Sequence, residues 1–286
     1  MSGHGSCREP DARELEGLLS EVELAIVAAT APEVEGVLTD LAPAEALSVA
    51  GKSWWVGELP SSARAVRSVV VVSGFDKVNM AHALTCLLEV SCPKLVIQTG
   101  IAGAFASSGL GPGDLAVALS ETYADLGVLA PEGWLSADVF CEPLATVAGA
   151  GVHNTFPLDP GLVEAAARIF RAGEWHGPTP GVGVGPFLTA SQVTGTRDYA
   201  AHLERRWGGI AESMEGAAAA HICALYDAPF LEVRGISNLI VDRDRSSWKV
   251  VEAAAVACRA ALMVCHRLDE VLVARRAAGD EDEIVL

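Results

Sequence analysis

The chain has 286 residues, 51% of them hydrophobic, and a formal net charge of −17 from 20 basic and 37 acidic side chains. That is enough apolar material for a sizeable core, in one large α/β domain or two small ones. The acidic balance argues against a nucleic-acid partner, which needs a basic footprint, and against docking on anionic lipid.

In chain order, residues 1–20 form a polar arm. Its Leu15, Leu18 and Leu19 make a helical patch that can pack on the domain or on a partner subunit. The arm lacks the basic and apolar regions of a signal peptide, and no apolar run is long enough to cross a bilayer without interruption. Residues 21–29 read as a first strand, followed by Thr30-Ala31-Pro32-Glu33 and an amphipathic run to Leu41. Two more strands follow at 54–58 and 68–73; the second, SVVVVS, is apolar on both faces and therefore central. A helix over 78–90 ends at Cys92-Pro93. A buried strand over 94–98 runs into a small-residue loop, 99–104. A glycine-rich turn at 109–114 leads to a strand at 115–121. Residues 134–159 are the least regular portion and 160–172 are helical. Residues 181–186 read as flexible, and 187–190 re-enter the sheet.

A strand ends at 211–212, and Ser213, Met214 and Glu215 pass into a helix over 216–226 that Pro229 breaks. Residues 230–236 are the next strand, with Ser237 and Asn238 just beyond it. A charged loop, 242–247, precedes one long closing helix over 248–277, and 278–286 form a frayed acidic tail. The alternation of strands and helices, with no repeat or linker, predicts a single domain over 21–277 in a three-layer α/β/α arrangement.

In open α/β sheets ligands bind beyond the carboxyl ends of strands, which places Glu215 and Asn238 at one edge. On position alone each has a second reading. Glu215 equally suits a helix's first turn, where the dipole favours an acid, and Asn238 suits a loop cap. Thr30-x-x-Glu33 is the pattern of a capping box, which by itself is the preferred account of Glu33. Arg234 is either an orienting group or the partner of Glu212 or Glu232. The seven histidines show no HxxxH pair or Cys/His cluster, so no metal is expected. GVGVGP at 181–186 does not open a helix, and no GxxxxGK[ST] or GxSxG occurs, so no cofactor is implied. Seven scattered cysteines without a CxxC read as reduced core thiols of a cytoplasmic protein.

Several stretches, in order, resemble the nucleoside phosphorylase and nucleosidase superfamily. They are AATAPE (28–33), SGFDKVN (73–79), TGIAGAF (99–105), ESMEGAAAAH (212–221), and EVRGISN (232–238) followed by DRDRSSW (242–248). The resemblance runs over roughly residues 21–275. Within the superfamily the chain is most similar to the futalosine hydrolases of the alternative menaquinone route, and next to the methylthioadenosine/S-adenosylhomocysteine nucleosidases. YADLG (123–127) and TGT (194–196) favour the futalosine branch.

The resemblance implies a nucleoside phosphorylase-like fold with a central twisted mixed sheet, and a small nucleoside as substrate. Subunits of the family pair around this site, so a homodimer or higher homo-oligomer is expected. Glu33 maps onto the glutamate that activates water, and Glu215 onto the ribose-binding carboxylate, with Met214 under the sugar. Val193 and Thr194 line the purine, and Ile101, Ala102 and Gly103 approach the ribose or water. Trp248 matches an aromatic lid, while Arg243 and Arg245 are candidates for an acidic 5′ substituent, although a solvated charged loop is the usual reading of such a run. Phosphorylases carry an arginine in the first of these loops and a hydroxyl residue in the TGxxG loop. Here Glu33 and Ile101 stand instead, which favours water over phosphate. Asn238 departs from the aspartate of the methylthioadenosine enzymes: an amide can donate to N7 or O6 of a 6-oxopurine. The expected reaction is release of hypoxanthine from futalosine. The alternatives are a 6-amino substrate, methylthioadenosine, S-adenosylhomocysteine or 6-amino-6-deoxyfutalosine, and a non-catalytic purine-nucleoside binder.

Overall fold

A computed structural model describes residues 8–175 and 177–282. Its strands are β1 (Leu24–Ala28), β2 (Ala42–Val49), β3 (Lys52–Pro60), β4 (Ala65–Val72), β5 (Leu95–Ala104), β6 (Leu115–Tyr123), β7 (Gly127–Ala130), β8 (Gly133–Ser136), β9 (Ala145–Val147), β10 (Ala150–Val152), β11 (Thr155–Pro157), β12 (Val182–Thr189), β13 (Ala211–Ser213) and β14 (Phe230–Leu239). Its helices are α1 (Ala12–Leu19), α2 (Glu35–Asp40), α3 (Lys77–Leu88), α4 (Pro160–Ala172), α5 (Arg197–Trp207), α6 (Gly216–Leu225), α7 (Val250–His266) and α8 (Leu268–Asp282).

One mixed sheet of ten strands carries the fold, and it has two unlike halves. From β5 an open wing runs outward through β1, β4, β3 and β2. On its other side the sheet closes. β14 pairs in parallel with β5 and antiparallel with β6, β6 pairs with β12, β12 with β13, and β13 returns to β5. Helices α3 and α6 pack on one face, and α2, α4 and α7 on the other, giving the expected α/β/α layers. The wing strands are apolar on both faces: Leu24 to Ala28 are fully buried, as are Val69, Val70 and Val71.

Several expectations are corrected. Residues 99–104 are not a loop: β5 runs on to Ala104, because β14 and β13 both supply it with backbone partners there. Residues 182–186, expected to be flexible, are likewise strand, held by β6 through a bulge at Gly185/Pro186. Asn238 lies within β14 rather than beyond it, after an irregularity at Ser237 that re-aims the strand end. The closing helix is two helices, α7 and α8, interrupted at Arg267. Strand β2 and helix α5 were not anticipated. In the leading arm, Leu15 and Leu19 bury into the main core, and Arg8 forms a bridge with Leu47. The rest of the arm, residues 1–7, and the end of the acidic tail, 283–286, lie outside the described residues.

Candidate active site

The ends of β1, β5, β13 and β14 surround a cleft of about 470 Å³. It is lined by Glu33, Ile101, Ala102, Gly103, Val193, Thr194, Met214, Glu215, Asn238, Arg243, Arg245 and Trp248. Every site residue expected from the sequence therefore faces one space, except Arg234, which lies beneath it.

Glu33 ends a single turn that follows β1. The capping box forms: the Thr30 amide and hydroxyl each donate to Glu33 Oε2 at 2.8 Å. The other oxygen, Oε1, accepts the Ile101 amide at 3.0 Å. Capping engages Oε2 while Oε1 meets the end of β5, so the cap and a place on the cleft wall coexist. Gly100 makes this possible. Its φ is +150°, and a Cβ there would stand 2.6 Å from Glu33 Oε1.

Glu215 is buried where β13 passes into α6. Its Oε1 accepts the Asp76 amide at 3.2 Å, and Arg234 approaches Oε2 at 3.5 Å. Burial raises its pKa, and the Glu33 and Glu232 charges push the same way, against the pull of Arg234 and the Asp76 amide. Arg234 is fully enclosed. Its Nε donates to Glu232 at 2.7 Å, and weaker bonds reach the Ile101 carbonyl and the Ser213 hydroxyl. Burial works against the guanidinium charge, but Glu232, Glu215 and Glu33 outweigh it and push its pKa up. Arg234 thus pairs with Glu232 and approaches Glu215; Glu212 is not its partner. Glu212 instead accepts the Thr194 amide at 2.9 Å and hydroxyl at 2.5 Å, fixing the wall that carries Val193. Its pKa is raised by burial, which those two bonds oppose.

Asn238 has its amide end fixed. Nδ2 donates to the Leu239 carbonyl at 3.0 Å, which can only accept, so Oδ1 must face the Ser237 hydroxyl at 2.8 Å. The second Nδ2 hydrogen is left as a donor on a cleft-lining side chain. At the mouth, the guanidiniums of Arg243 and Arg245 lie 4.9 and 5.7 Å from the Trp248 ring centroid. Trp248 precedes α7, and Lys249 N–H ties this lid to the Ser237 carbonyl at 2.8 Å.

Sequence reasoning missed Phe75, Ser213 and Ser237, which also line the cleft, and Glu121, buried below it. A signal was available for Glu121 and for the structural importance of Glu232: each is the one acidic residue of its strand. His221 is a packing residue, stacked on Phe156 with its ring nitrogens facing the Tyr123 hydroxyl and the Leu144 carbonyl. Among the described residues no cluster of His, Cys, Asp and Glu has the arrangement of a metal site. None of the described helices is long and apolar enough to cross a membrane.

The family model described as "Phosphorylase superfamily" matches residues 23–272. The chain belongs to that superfamily. It is 34% identical over 214 residues to the futalosine hydrolase of Thermus thermophilus, covering 74% of this chain and 85% of that one. It is 28% identical over 217 residues to the 5′-methylthioadenosine/S-adenosylhomocysteine nucleosidase of Oceanobacillus iheyensis, covering 76% and 86%. Among solved structures, the native futalosine hydrolase of Helicobacter pylori superposes with a TM-score of 0.71 at 18% identity, over 87% of this chain and 98% of that one; this likeness speaks to the fold.

Proposed function

We propose that the protein is an N-glycosyl hydrolase that cleaves futalosine to hypoxanthine and the dehypoxanthine sugar. The observation carrying this reading is the convergence of Glu33, Glu215 and Asn238 on one cleft. Ribose hydroxyls bind the Glu215 carboxylate, whose negative charge also offsets the positive charge that grows at C1′ as the glycosidic bond loosens. Water held by Glu33 attacks C1′; its proton passes to Glu33, its oxygen bonds to C1′, and the C1′–N9 pair leaves with the purine. Asn238 helps that departure by donating to N7 or O6, and solvent supplies the proton. Arg243 and Arg245 meet an acidic 5′ substituent beside Trp248. Phosphate is not the nucleophile: Arg234, the guanidinium beneath the cleft, is already engaged by Glu232 and Glu215. The likeness to futalosine hydrolases supports this substrate, and we place the protein in the cytoplasm as a homo-oligomer.

The likeness to methylthioadenosine/S-adenosylhomocysteine nucleosidases supports a second reading, a 6-amino nucleoside in the same cleft. Chromatographic assay of futalosine, 6-amino-6-deoxyfutalosine and methylthioadenosine, with and without phosphate, separates the readings. Phosphate-independent release of hypoxanthine is expected to be fastest. Faster release of adenine overturns the substrate, phosphate dependence overturns the hydrolysis, and binding without release of any base overturns the catalysis.

A further inference from the structure

Below the cleft, a second pair of carboxyl groups is out of contact with solvent. Glu121 on β6 and Glu232 on β14 are both fully buried. Glu121 Oε1 and Glu232 Oε2 lack any hydrogen-bond donor, yet both lie within 2.6 Å of the point where a Cβ of residue 216 would stand. Two bare acceptor oxygens packed this closely repel each other unless a proton lies between them. The surroundings decide which group carries it. The Ala217 amide donates to Thr189 Oγ1 at 2.8 Å, so that hydroxyl is free to donate its own hydrogen to Glu121 Oε2, also at 2.8 Å. Only Oε1 of Glu121 is left to hold a proton. Glu232, by contrast, has a cation: its Oε1 receives Arg234 Nε at 2.7 Å.

We propose that Glu121 is a neutral acid whose Oε1–H is shared with Glu232 Oε2, and that this pair positions the ribose carboxylate. With Glu232 anionic and anchored, Arg234 stays on it and keeps only a 3.5 Å approach to Glu215. The Glu215 oxygens then remain available to the sugar. Without the Glu232 charge, Arg234 would turn its pairing onto Glu215 and occupy the acceptor the ribose needs. Burial, then the neighbouring Glu232 charge, raise the Glu121 pKa well above the usual carboxylate range, in keeping with this assignment. The charged groups around the pair are Arg234 and, beyond it, Glu215 and Glu33; α6 presents only Gly216 and Ala217 to it. Glu121 and Glu232 are therefore positioning residues, and the proposal rests on the nucleosidase reading above for its kinetic consequence.

The test pairs infrared difference spectroscopy with kinetics. Wild type minus Glu121→Gln at neutral pH is expected to show the carbonyl band of one buried neutral acid; absence of that band overturns the assignment. Glu121→Gln replaces the donor and should retain at least about a third of wild-type kcat/KM. Glu232→Gln should lose about 30-fold, mostly in KM, the scale of one misdirected charged hydrogen bond. Equal losses in the two variants overturn the positioning role. Should Glu232→Gln fail to fold, Glu121→Met takes its place: it should lose about tenfold where the glutamine variant does not. Equal activity of the methionine and glutamine variants again overturns the proposal. A wild-type protein that releases no base overturns the nucleosidase reading and leaves the infrared result to stand by itself.

Discussion

The two halves of the sheet solve burial in opposite ways. In the wing of β1, β4, β3 and β2, the one fully buried polar side chain within a described strand is Ser68, whose hydroxyl bonds the Val66 carbonyl. The closed half buries Gln98, Thr99, Glu121, Thr122, Thr189, Glu212, Ser213, Glu232, Arg234 and Ser237. Burying a polar group is costly unless it is paired, so the wing carries few such groups, while the closed half links most of its own to one another, with the Gln98 amide and the Thr99 hydroxyl unpartnered among the described residues. The difference explains where the cleft lies. An apolar sheet edge can hold a purine ring, but a sugar with developing positive charge needs fixed carboxylates. Glu215 comes from the half whose interior is already a polar network, while Glu33 follows β1 of the wing and is held at the junction by the Ile101 amide of β5.

The largest expected effect falls on chemistry, at the junction where Glu33 follows β1 of the wing and bonds to β5. Glu33→Gln has no base and should lower kcat about 10³-fold; its oxygen can keep the Thr30 cap, but its NH2 then faces the Ile101 amide, which should cost about 1–3 kcal/mol of stability. Because Thr30 donates two bonds to Oε2, the amide's orientation is constrained, and loss of the cap alone would cost about 1 kcal/mol of stability. Single-turnover base release alongside a melting curve separates the two. A variant that melts early but keeps its rate would return Glu33 to a purely capping role.

The second contrast is in pH. Ile26→Ala empties space in the wing and should cost about 2–5 kcal/mol, equally at pH 5 and pH 8, by urea unfolding. The closed half should behave differently. Glu121 has a folded-state pKa raised well above its ordinary value, so its contribution is complete below the usual glutamate range. That contribution is lost as pH rises toward the folded value, because unfolding then releases a proton. Glu212 and Glu215, also raised, act in the same direction. Glu121→Gln should therefore remove up to about 1.4 kcal/mol per pH unit from the downward slope above pH 5. Identical slopes in wild type and variant would mean that Glu121 is ionised.

How much of this is legible in the chain follows the same division. The inner wing reads easily, because runs such as SVVVVS can only be central strands, whereas its half-exposed edge strand β2, APAEALSV, carries no such run. The site also reads well where side-chain chemistry and family motif coincide, as at Glu33, Glu215 and Asn238. Beyond that edge strand, what fails depends on closure of the sheet. Residues 99–104 and 182–186 look like loops because small residues dominate, and only the pairing of β5 with β13 and β14, and of β12 with β6, makes them strands. Glu121 and Glu232 lie 111 positions apart in the chain, and nothing local announces that they meet over Gly216. There a Cβ would stand 1.9 Å from Glu121, a constraint invisible in a helix that otherwise reads as alanine-rich packing.

The smallest effect expected is one of choice between substrates, at the rim where the two halves cease to matter and one side chain faces the base. Asn238 Nδ2 points one hydrogen at the Leu239 carbonyl and has one to give. A 6-oxopurine offers acceptors at both N7 and O6, so the amide suits it. A 6-aminopurine offers a donor at position 6, which Nδ2, itself a donor, cannot meet. Asn238→Asp reverses the polarity: an ionised carboxylate repels O6, and welcomes a 6-amino group. It also sets an anion against the Leu239 carbonyl, which weakens binding of either substrate. The ratio of kcat/KM for futalosine to that for 6-amino-6-deoxyfutalosine should fall about tenfold, the worth of one hydrogen bond gained or left unmade. Measuring the ratio rather than either rate cancels the general loss. An unchanged ratio would show that the base is read elsewhere, most directly by the main chain near Val193 on the opposite wall.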